Sequence, residues 1–322
     1  MVSAEHPDRA SEPGHLMRPE IWIPEETPDA ERQRLAELAG VHVYPAAGPL
    51  AASLGRGDLL VAGNHQKRAI EVAPHVGGLR YIQTFSAGVD RIVGRIPPGV
   101  SLCDAAGVHD VAVAEWVLMA ILASRRRLPE HVDGQRSRAW REDRLTGDDL
   151  EGATVVLLGV GAIGRAVEAR LVPFGVQVVR IARHARAGVH SVADLPTILP
   201  SADIVVILVP LTPETSGVFD AAAIAAMRPG ALLVNASRGK IVDAVAMTAA
   251  VLDGRIRVAL DVTDPEPLPA GHPLWSAPGA LITPHVASDV QRQDERAWRL
   301  VEDQVARLAR GEPPINIVVD GY

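Results

Sequence analysis

The sequence predicts an α/β protein with two doubly wound parallel-sheet domains. Short apolar segments alternate with helical patterns along nearly the whole chain, which is typical of βαβ units in parallel sheets. The chain has 322 residues, more than a single hydrophobic core usually holds. The apolar runs of its second half are rich in β-branched residues and nearly continuous, as expected of strands covered on both faces. These observations together predict two domains, each with its own sheet.

The predicted strands fall into two series. The first series lies at 20–24, 41–44, 58–62, 79–85 and 100–104, and the second at 153–158, 176–181, 203–209, 231–235, 256–260 and 280–283. A helical pattern at about 109–127 is predicted to connect the two series. A final helix at about 290–310 is predicted to return the chain to the first domain, and a further strand is considered at 315–319.

Composition and charge argue against several classes of protein. The net charge of −7 and the scattered basic residues argue against nucleic acid as a partner. Neither an apolar run of membrane-helix length nor a secretory signal is present, so we expect a cytoplasmic protein with a loose N-terminal tail and no membrane partner. The single Cys103 lies in an apolar run and is expected to be buried and inert. Without an H-x-x-x-H pattern or a Cys cluster, no metal site is predicted.

A glycine-rich turn follows the predicted strand 153–158 and opens a helix that is expected to reach about residue 174. Gly159 would permit the tight turn, Gly161 would let the backbone approach a pyrophosphate, and Gly164 would let the helix lie close to the strand. Ala162 and Ile163 begin that helix, whose N-terminus favours phosphate. The pattern predicts a Rossmann-like dinucleotide site. The alternative is a glycine-rich turn that binds no ligand.

The residues after the next strand, 176–181, bear on the choice of dinucleotide. A site for NAD would place Asp or Glu there, to accept hydrogen bonds from the ribose hydroxyls. This chain has Ala182, followed by Arg183, His184 and Arg186. Because a guanidinium donates paired hydrogen bonds to phosphate, we predict NADP(H) as the preferred cofactor and NAD(H) as the alternative. A solvated basic loop is the other interpretation.

Three side chains with catalytic chemistry each follow a strand of the second series, at the edge where ligands bind in open α/β sheets. Arg238 could hold a carboxylate through two hydrogen bonds. His285 could donate the proton that ketone reduction requires. Glu266, in a proline-rich loop, could orient the imidazole and favour its protonated form. Each residue alone has an ordinary structural explanation, but their conjunction with the glycine turn predicts an active site.

Several motifs carry a resemblance to a known family. They lie at 107–110, 113–115, 159–164, 210–215, 235–242, 261–268, 272–275 and 283–288. With these motifs the sequence resembles the D-isomer-specific 2-hydroxyacid dehydrogenase family, which includes glyoxylate/hydroxypyruvate reductases. The resemblance implies that Arg238 binds the substrate carboxylate and carbonyl, and that Glu266 and His285 act as a pair.

The same resemblance implies the binding residues and the assembly. Asp261 is expected to hold the nicotinamide carboxamide, Ala87 and Gly88 to receive the substrate carboxylate, and Pro210, Thr215 and Ala236 to contact the cofactor. A cleft is expected between a substrate domain (1–106 plus 291–322) and a dinucleotide-binding domain (107–290). A homodimer through the dinucleotide-binding domains is implied, with Trp140 directed to the partner's pocket. The expected ligand is a small 2-keto or 2-hydroxy acid.

Two other functions are considered within the resemblance. The family includes corepressors that sense dinucleotides without physiological turnover, and measured turnover on simple 2-keto acids would separate the two functions. It also includes formate dehydrogenases, in which Gln replaces the Glu beside the catalytic His. The presence of Glu266 argues against formate oxidation.

Overall fold

The computed structural model describes residues 18–140 and 146–319, and this part of the chain forms two compact units. The smaller unit comprises 18–86, 92–105 and 295–319, and the larger comprises 87–91, 106–140 and 146–294. Within these residues there are two parallel sheets, of five and seven strands, which confirms the predicted α/β class. The predicted loose tail, residues 1–17, lies outside the described residues.

The smaller unit is built on a parallel sheet in the order β2-β1-β4-β6-β7. All five residues of its central strand are buried, as expected for a continuous apolar run between helices. A short parallel pair of strands, absent from the sequence predictions, joins Gly55 to Val76. The elements of this unit are β1 (Glu20–Pro24), α1 (Asp29–Leu38), β2 (Gly40–Tyr44), β3 (Gly55–Arg56), β4 (Leu59–Gly63), α2 (Gln66–Val72), β5 (Val76–Gly77), β6 (Tyr81–Thr84), β7 (Ser101–Cys103) and, from Glu295 onward, α9 (Gln293–Ala309).

The larger unit is built on a parallel sheet in the order β10-β9-β8-β11-β12-β13-β14. Its strands are β8 (Thr154–Leu158), β9 (Gln177–Ala182), β10 (His190–Ser191), β11 (Ile204–Ile207), β12 (Leu232–Asn235), β13 (Arg257–Leu260) and β14 (Ala280–Ile282). The chain runs outward from β8 to β10 and then returns across β8 to β11. The strand order therefore reverses beside β8, and ligands of open α/β sheets bind outside the carboxyl ends of the strands at such a point.

Helices cover both faces of this larger sheet. Along β8, Val155 and Leu157 pack on one face and Val156 and Leu158 on the other, which is the two-residue period of a strand. The first of these faces is covered by an apolar stripe of α3 that includes Val113, Trp116, Val117, Ala120 and Ile121. The helices are α3 (Asp110–Arg125), α4 (Leu128–Arg136), α5 (Ala162–Leu171), α6 (Leu195–Ile198), α7 (Ala221–Ala226) and α8 (Ala244–Leu252).

Three predicted elements were wrong in extent or type. The helix predicted at 109–127 ends at Arg125, because Arg127 adopts a left-handed backbone with φ 55° before α4 begins. The helix after the glycine turn ends at Leu171 and continues as a 3₁₀ turn that contains Pro173, which lacks the N–H that an α-helix needs. The strand considered at 315–319 is a single bridge between Cys103 and Ile317. Prolines precede this segment, and φ of 58° at Asn316 interrupts the extended backbone.

Two remaining predictions concern Cys103 and the membrane. Cys103 is buried, as predicted, and burial raises the pKa of its thiol to about 12, with a smaller contribution from Asp104. Such a thiol stays protonated at neutral pH and is a poor nucleophile. Among the helices of the described residues, we find none with both the length and the apolar character that a bilayer crossing requires.

Candidate active site

The glycine turn after β8 has the backbone geometry that a phosphate cradle needs. Gly159 has φ of 113°, and a Cβ there would lie 2.8 Å from the carbonyl carbon of Leu208, the residue directly after β11. A Cβ on Gly164 would overlap the carbonyl oxygen of Gly159, so the helix can lie this close to the turn only with glycine. At Gly161 a Cβ would meet no atom within 4 Å, which leaves open space in front of the α5 N-terminus. These residues fit a pyrophosphate group.

The strand beside that turn ends at Ala182, and a basic segment follows it. Arg183 is 71% exposed and lies 3.7 Å from the Glu214 carboxylate, a partner that the sequence analysis did not identify. A hydrogen bond with the Thr212 hydroxyl, and to a smaller extent Arg183, lower the pKa of Glu214. His184 and Arg186 are exposed, so the segment offers cationic donors and no carboxylate of its own at the strand end.

The loop after β11 is closed by a threonine. The Thr215 hydroxyl donates to the Pro210 carbonyl oxygen at 2.6 Å and accepts from the Thr212 backbone N–H at 2.8 Å. These bonds hold Pro210 and Thr215 at the carboxyl end of the strand. Ala236, directly after β12, donates its N–H to the Ile207 carbonyl oxygen at 3.4 Å and so borders the same sheet edge. The predicted cofactor residues therefore share the edge that carries the glycine turn.

Arg238 follows β12 and is anchored by residues of two segments. The Asn235 amide donates to the Arg238 carbonyl oxygen at 3.0 Å, which fixes the local backbone. The guanidinium donates from Nη1 to the Ser237 carbonyl oxygen at 2.8 Å and from Nε to Asp90 Oδ1 at 3.0 Å. Gly88 lies so close that a Cβ on it would overlap Arg238 Nη2. The structure thus brings Gly88 of the predicted substrate loop against Arg238 within the larger unit, with Ala87 next to it in the chain.

His285 and Glu266 form a hydrogen-bonded pair. His285 Nδ1 lies 2.8 Å from Glu266 Oε1, and the two side chains are 40% and 28% exposed. With Nδ1 held by the carboxylate, Nε2 is the ring nitrogen that remains to donate a proton to a substrate oxygen. Arg91 Nη2 lies 3.6 Å from the same Glu266 oxygen. The arrangement fixes the imidazole ring through Nδ1 and leaves Nε2 for acid–base chemistry.

Asp261 organises the loop that carries His285. Its buried carboxylate accepts from the Thr283 hydroxyl at 2.6 Å and from the backbone N–H groups of residues 286 and 287 at 2.8 and 2.9 Å. Trp116 of α3 donates its indole N–H to the Thr283 hydroxyl at 3.0 Å, which orients that hydroxyl towards Asp261. The loop is thereby fixed with His285 at φ 58°. The expected role of Asp261 towards the nicotinamide stays a prediction.

The structure brings the predicted site residues to one edge of the sheet, where two further residues that sequence reasoning missed contact them. Arg238, Glu266 and His285 follow the neighbouring strands β12, β13 and β14 at their carboxyl ends. The consecutive residues Asp90 and Arg91 contact Arg238 and Glu266 respectively. The available signal was position, because Asp90 lies two residues after Gly88, which the resemblance already placed at the substrate carboxylate. Across the described ranges, no cluster of three His, Cys, Asp or Glu side chains suited to a metal was found.

Comparisons with known proteins agree with this geometry. Residues 118–287 match a family model described as D-isomer specific 2-hydroxyacid dehydrogenase, NAD binding domain. The glyoxylate reductase of Thermofilum pendens is 32% identical over 94% of this chain and 95% of its own length. The glyoxylate reductase/hydroxypyruvate reductase of Homo sapiens is 31% identical over 94% of this chain and 97% of its own length. A solved NADPH-dependent glyoxylate/hydroxypyruvate reductase from Sinorhizobium meliloti, in complex with NADP and sulfate, has 28% identity and a TM-score of 0.78, covering 95% of this chain and 100% of that one.

Proposed function

The chain belongs to the D-isomer specific 2-hydroxyacid dehydrogenase family of oxidoreductases, and we propose that it transfers a hydride between NADP(H) and C2 of a small 2-keto or D-2-hydroxy acid. The observation that carries this proposal is the His285–Glu266 pair, 2.8 Å apart. The two residues follow β14 and β13, and Arg238 follows the next strand of the same sheet, β12. Steady-state reduction of glyoxylate, hydroxypyruvate, pyruvate and bulkier keto acids, each with both cofactors, is the direct test.

The side chains of the site have distinct roles in the proposed reduction. A dinucleotide held at the glycine turn would supply the hydride to C2 from its nicotinamide. Arg238 holds the substrate carboxylate and polarises the carbonyl through its planar fork. His285 gives the proton from Nε2 to the carbonyl oxygen, so that the ketone becomes a hydroxyl. Glu266 accepts the hydrogen bond from Nδ1 and so holds the imidazole ring in place during the transfer. In the oxidative direction the same imidazole takes the proton back.

The binding part of the proposal assigns the cofactor to the glycine turn. The open space in front of Gly161 and the close packing of Gly164 support a pyrophosphate at the start of α5. Asp261 would accept from the nicotinamide carboxamide, and Ala87 and Gly88 would present N–H groups to the substrate carboxylate. The names of the Thermofilum and human relatives support glyoxylate and hydroxypyruvate as the first substrates to test.

Assembly is part of the same proposal. We expect a homodimer through the larger unit, in which Trp140, 95% exposed within a single chain, is directed to the partner's substrate pocket. Burial in a partner would account for an aromatic side chain that is otherwise fully solvated. Sedimentation of the full chain should give twice the monomer mass. A monomer that turns over at a normal rate would contradict this part.

We expect the enzyme to prefer NADPH, and the double change Ala182→Asp with Arg183→Ala to reverse that preference. A charge-assisted hydrogen bond to the 2′-phosphate is worth about 1.5–3 kcal/mol, or roughly 10- to 150-fold in affinity. Because Arg183 is 71% exposed, the lower end of that range is expected. The measurement is kcat/KM for both cofactors at one keto acid concentration and one ionic strength.

The control for the cofactor prediction is Arg299→Ala. Arg299 is also an exposed, ion-paired arginine, but it lies on α9 of the smaller unit, and its loss should leave the cofactor ratio unchanged. An unmodified enzyme that favours NADH, or a double variant that keeps its NADPH preference, would show that the 182–186 segment does not select the cofactor.

Glu266→Gln should lower kcat for keto-acid reduction. Glutamine keeps the shape of the 2.8 Å contact but replaces the carboxylate acceptor with a neutral amide, and charge-assisted hydrogen bonds are roughly twice as strong as neutral ones. The imidazole should then be held less firmly, so kcat should fall while the dissociation constant of the cofactor stays unchanged. The measurement is kcat on one 2-keto acid at one fixed pH. A kcat equal to that of the unmodified enzyme would show that Glu266 does not position His285.

A further inference from the structure

We propose that Asp90 is a positioning residue that holds the Arg238 guanidinium in the orientation needed for substrate, in a space that only glycine at position 88 leaves open. The inference rests on the proposed role of Arg238 and assigns a second residue to that same function. Asp90 itself has no part in the chemistry. It acts on the substrate only through the arginine that it holds.

The contact between the two side chains is close and largely sheltered from solvent. Asp90 Oδ1 accepts from Arg238 Nε at 3.0 Å and lies 2.9 Å from Nη2. The side chains are 14% exposed for Asp90 and 21% exposed for Arg238. A charge-assisted pair in such surroundings is screened less than a surface pair, so it can fix a long side chain that would otherwise sample several rotamers.

The contacts also decide which donors of the guanidinium stay available. A guanidinium has five N–H donors in a rigid fork. Asp90 Oδ1 accepts from Nε and lies beside Nη2, and the Ser237 carbonyl oxygen takes one N–H of Nη1. Among the hydrogen bonds of the described residues, this leaves a donor on both Nη1 and Nη2. Donors on both terminal nitrogens suit the two oxygens of a substrate that has a carboxylate beside its carbonyl.

Gly88 is the second residue that fixes the position of the Arg238 guanidinium. A Cβ built on Gly88 would overlap Nη2 of Arg238 and crowd the rest of the guanidinium. The atom that would be met is the far end of a flexible side chain, so Gly88→Ala should displace the guanidinium and leave the backbone of the segment intact. This variant displaces the Arg238 guanidinium but keeps all of its N–H donors.

The same short segment also contacts the proton-donating pair. Arg91, next to Asp90 in sequence, lies 3.6 Å from Glu266, which holds His285. The segment 87–91 therefore contacts both the carboxylate-binding arginine and the carboxylate of the acid–base pair, all within the larger unit. Loss of Asp90 should for this reason affect turnover as well as substrate affinity.

The test compares Asp90→Ala, Asp90→Asn and Gly88→Ala with the unmodified enzyme on one 2-keto acid. Misplacing a reacting group by about 1 Å can cost on the order of 10²-fold, so Asp90→Ala should lower kcat/KM about 10- to 100-fold. Asp90→Asn keeps an acceptor for Nε and should recover part of that loss. Gly88→Ala should resemble Asp90→Ala. The dissociation constant of the cofactor, measured by fluorescence titration, should change less than about twofold in all three, because the guanidinium holds substrate rather than dinucleotide.

A double-mutant cycle separates positioning from a merely structural role. Residues that act through one group are strongly non-additive. Adding Asp90→Ala to Arg238→Lys should therefore lower kcat/KM by less than about threefold beyond Arg238→Lys alone. The matched control is Asp203→Ala, since Asp203 is 22% exposed and pairs with Arg228 just before β11, at the amino edge of the same sheet. This control should leave kcat/KM within about twofold.

The outcomes distinguish this inference from the function on which it rests. Near-normal kcat/KM in Arg238→Lys would overturn the proposed role of Arg238, and the role of Asp90 with it. Impaired Arg238→Lys together with near-normal Asp90→Ala and Gly88→Ala would overturn only the inference. Fully additive losses in the double variant would do the same, because Asp90 would then act on something other than Arg238. Non-additive losses, with partial recovery in Asp90→Asn, support it.

Discussion

Replacing His285 with asparagine is expected to lower kcat for keto-acid reduction by about 10²- to 10⁴-fold, the usual contribution of a general acid. Asparagine is the appropriate replacement because His285 has φ of 58°, a left-handed backbone that asparagine adopts readily. The amide can still donate a hydrogen bond to the substrate oxygen but cannot transfer a proton. The loss should therefore fall on kcat, with the cofactor dissociation constant unchanged.

His42→Asn is the matched control for this change. His42 Nε2 lies 2.6 Å from a Glu20 oxygen, and its side chain is 43% exposed, which resembles the pairing and exposure of His285. It belongs to the smaller unit and follows no strand of the larger sheet. Its replacement should leave kcat unchanged. A His285→Asn variant that retains more than about a tenth of the normal kcat would assign proton donation to another group.

Arg238→Lys should reduce kcat/KM roughly 10- to 150-fold, which corresponds to the loss of a charge-assisted hydrogen bond of about 1.5–3 kcal/mol. A lysine ammonium is a point charge and cannot reproduce the planar contacts of the guanidinium with Asp90 and Ser237 while also holding two substrate oxygens. The carboxylate and the carbonyl would both be held less firmly. Both KM and kcat should therefore change.

Arg257→Lys serves as the comparison for the arginine prediction. Arg257 is also 21% exposed and also bonds a carboxylate and a carbonyl oxygen, those of Asp148 and Ser124, but it begins β13 at the opposite edge of the sheet. A similar loss of kcat/KM in both variants would indicate general destabilisation. Near-normal kinetics in Arg238→Lys would show that Arg238 does not bind the substrate.

The sequence by itself predicted the features that depend on local pattern. Both parallel sheets were predicted from short apolar runs between helical patterns. A strand that is covered on both faces needs apolar residues at nearly every position, and such a run is visible in the sequence. The glycine turn at 159–164 was visible because φ of 113° at Gly159 and the close approach at Gly164 each require glycine. The edge that carries Arg238, Glu266 and His285 followed from parallel topology alone, because every strand of such a sheet ends on the same side.

Side-chain partners distant in sequence were decided only by the tertiary structure. Asp90 and Arg238 are separated by 148 positions, and Trp116 and Thr283 by 167. Neither pairing leaves a periodic or spacing signal, because it depends on how loops from different segments are brought to one sheet edge. The sequence therefore determined which groups stand at the edge of the sheet, and the folded chain determined which of them hold one another in place.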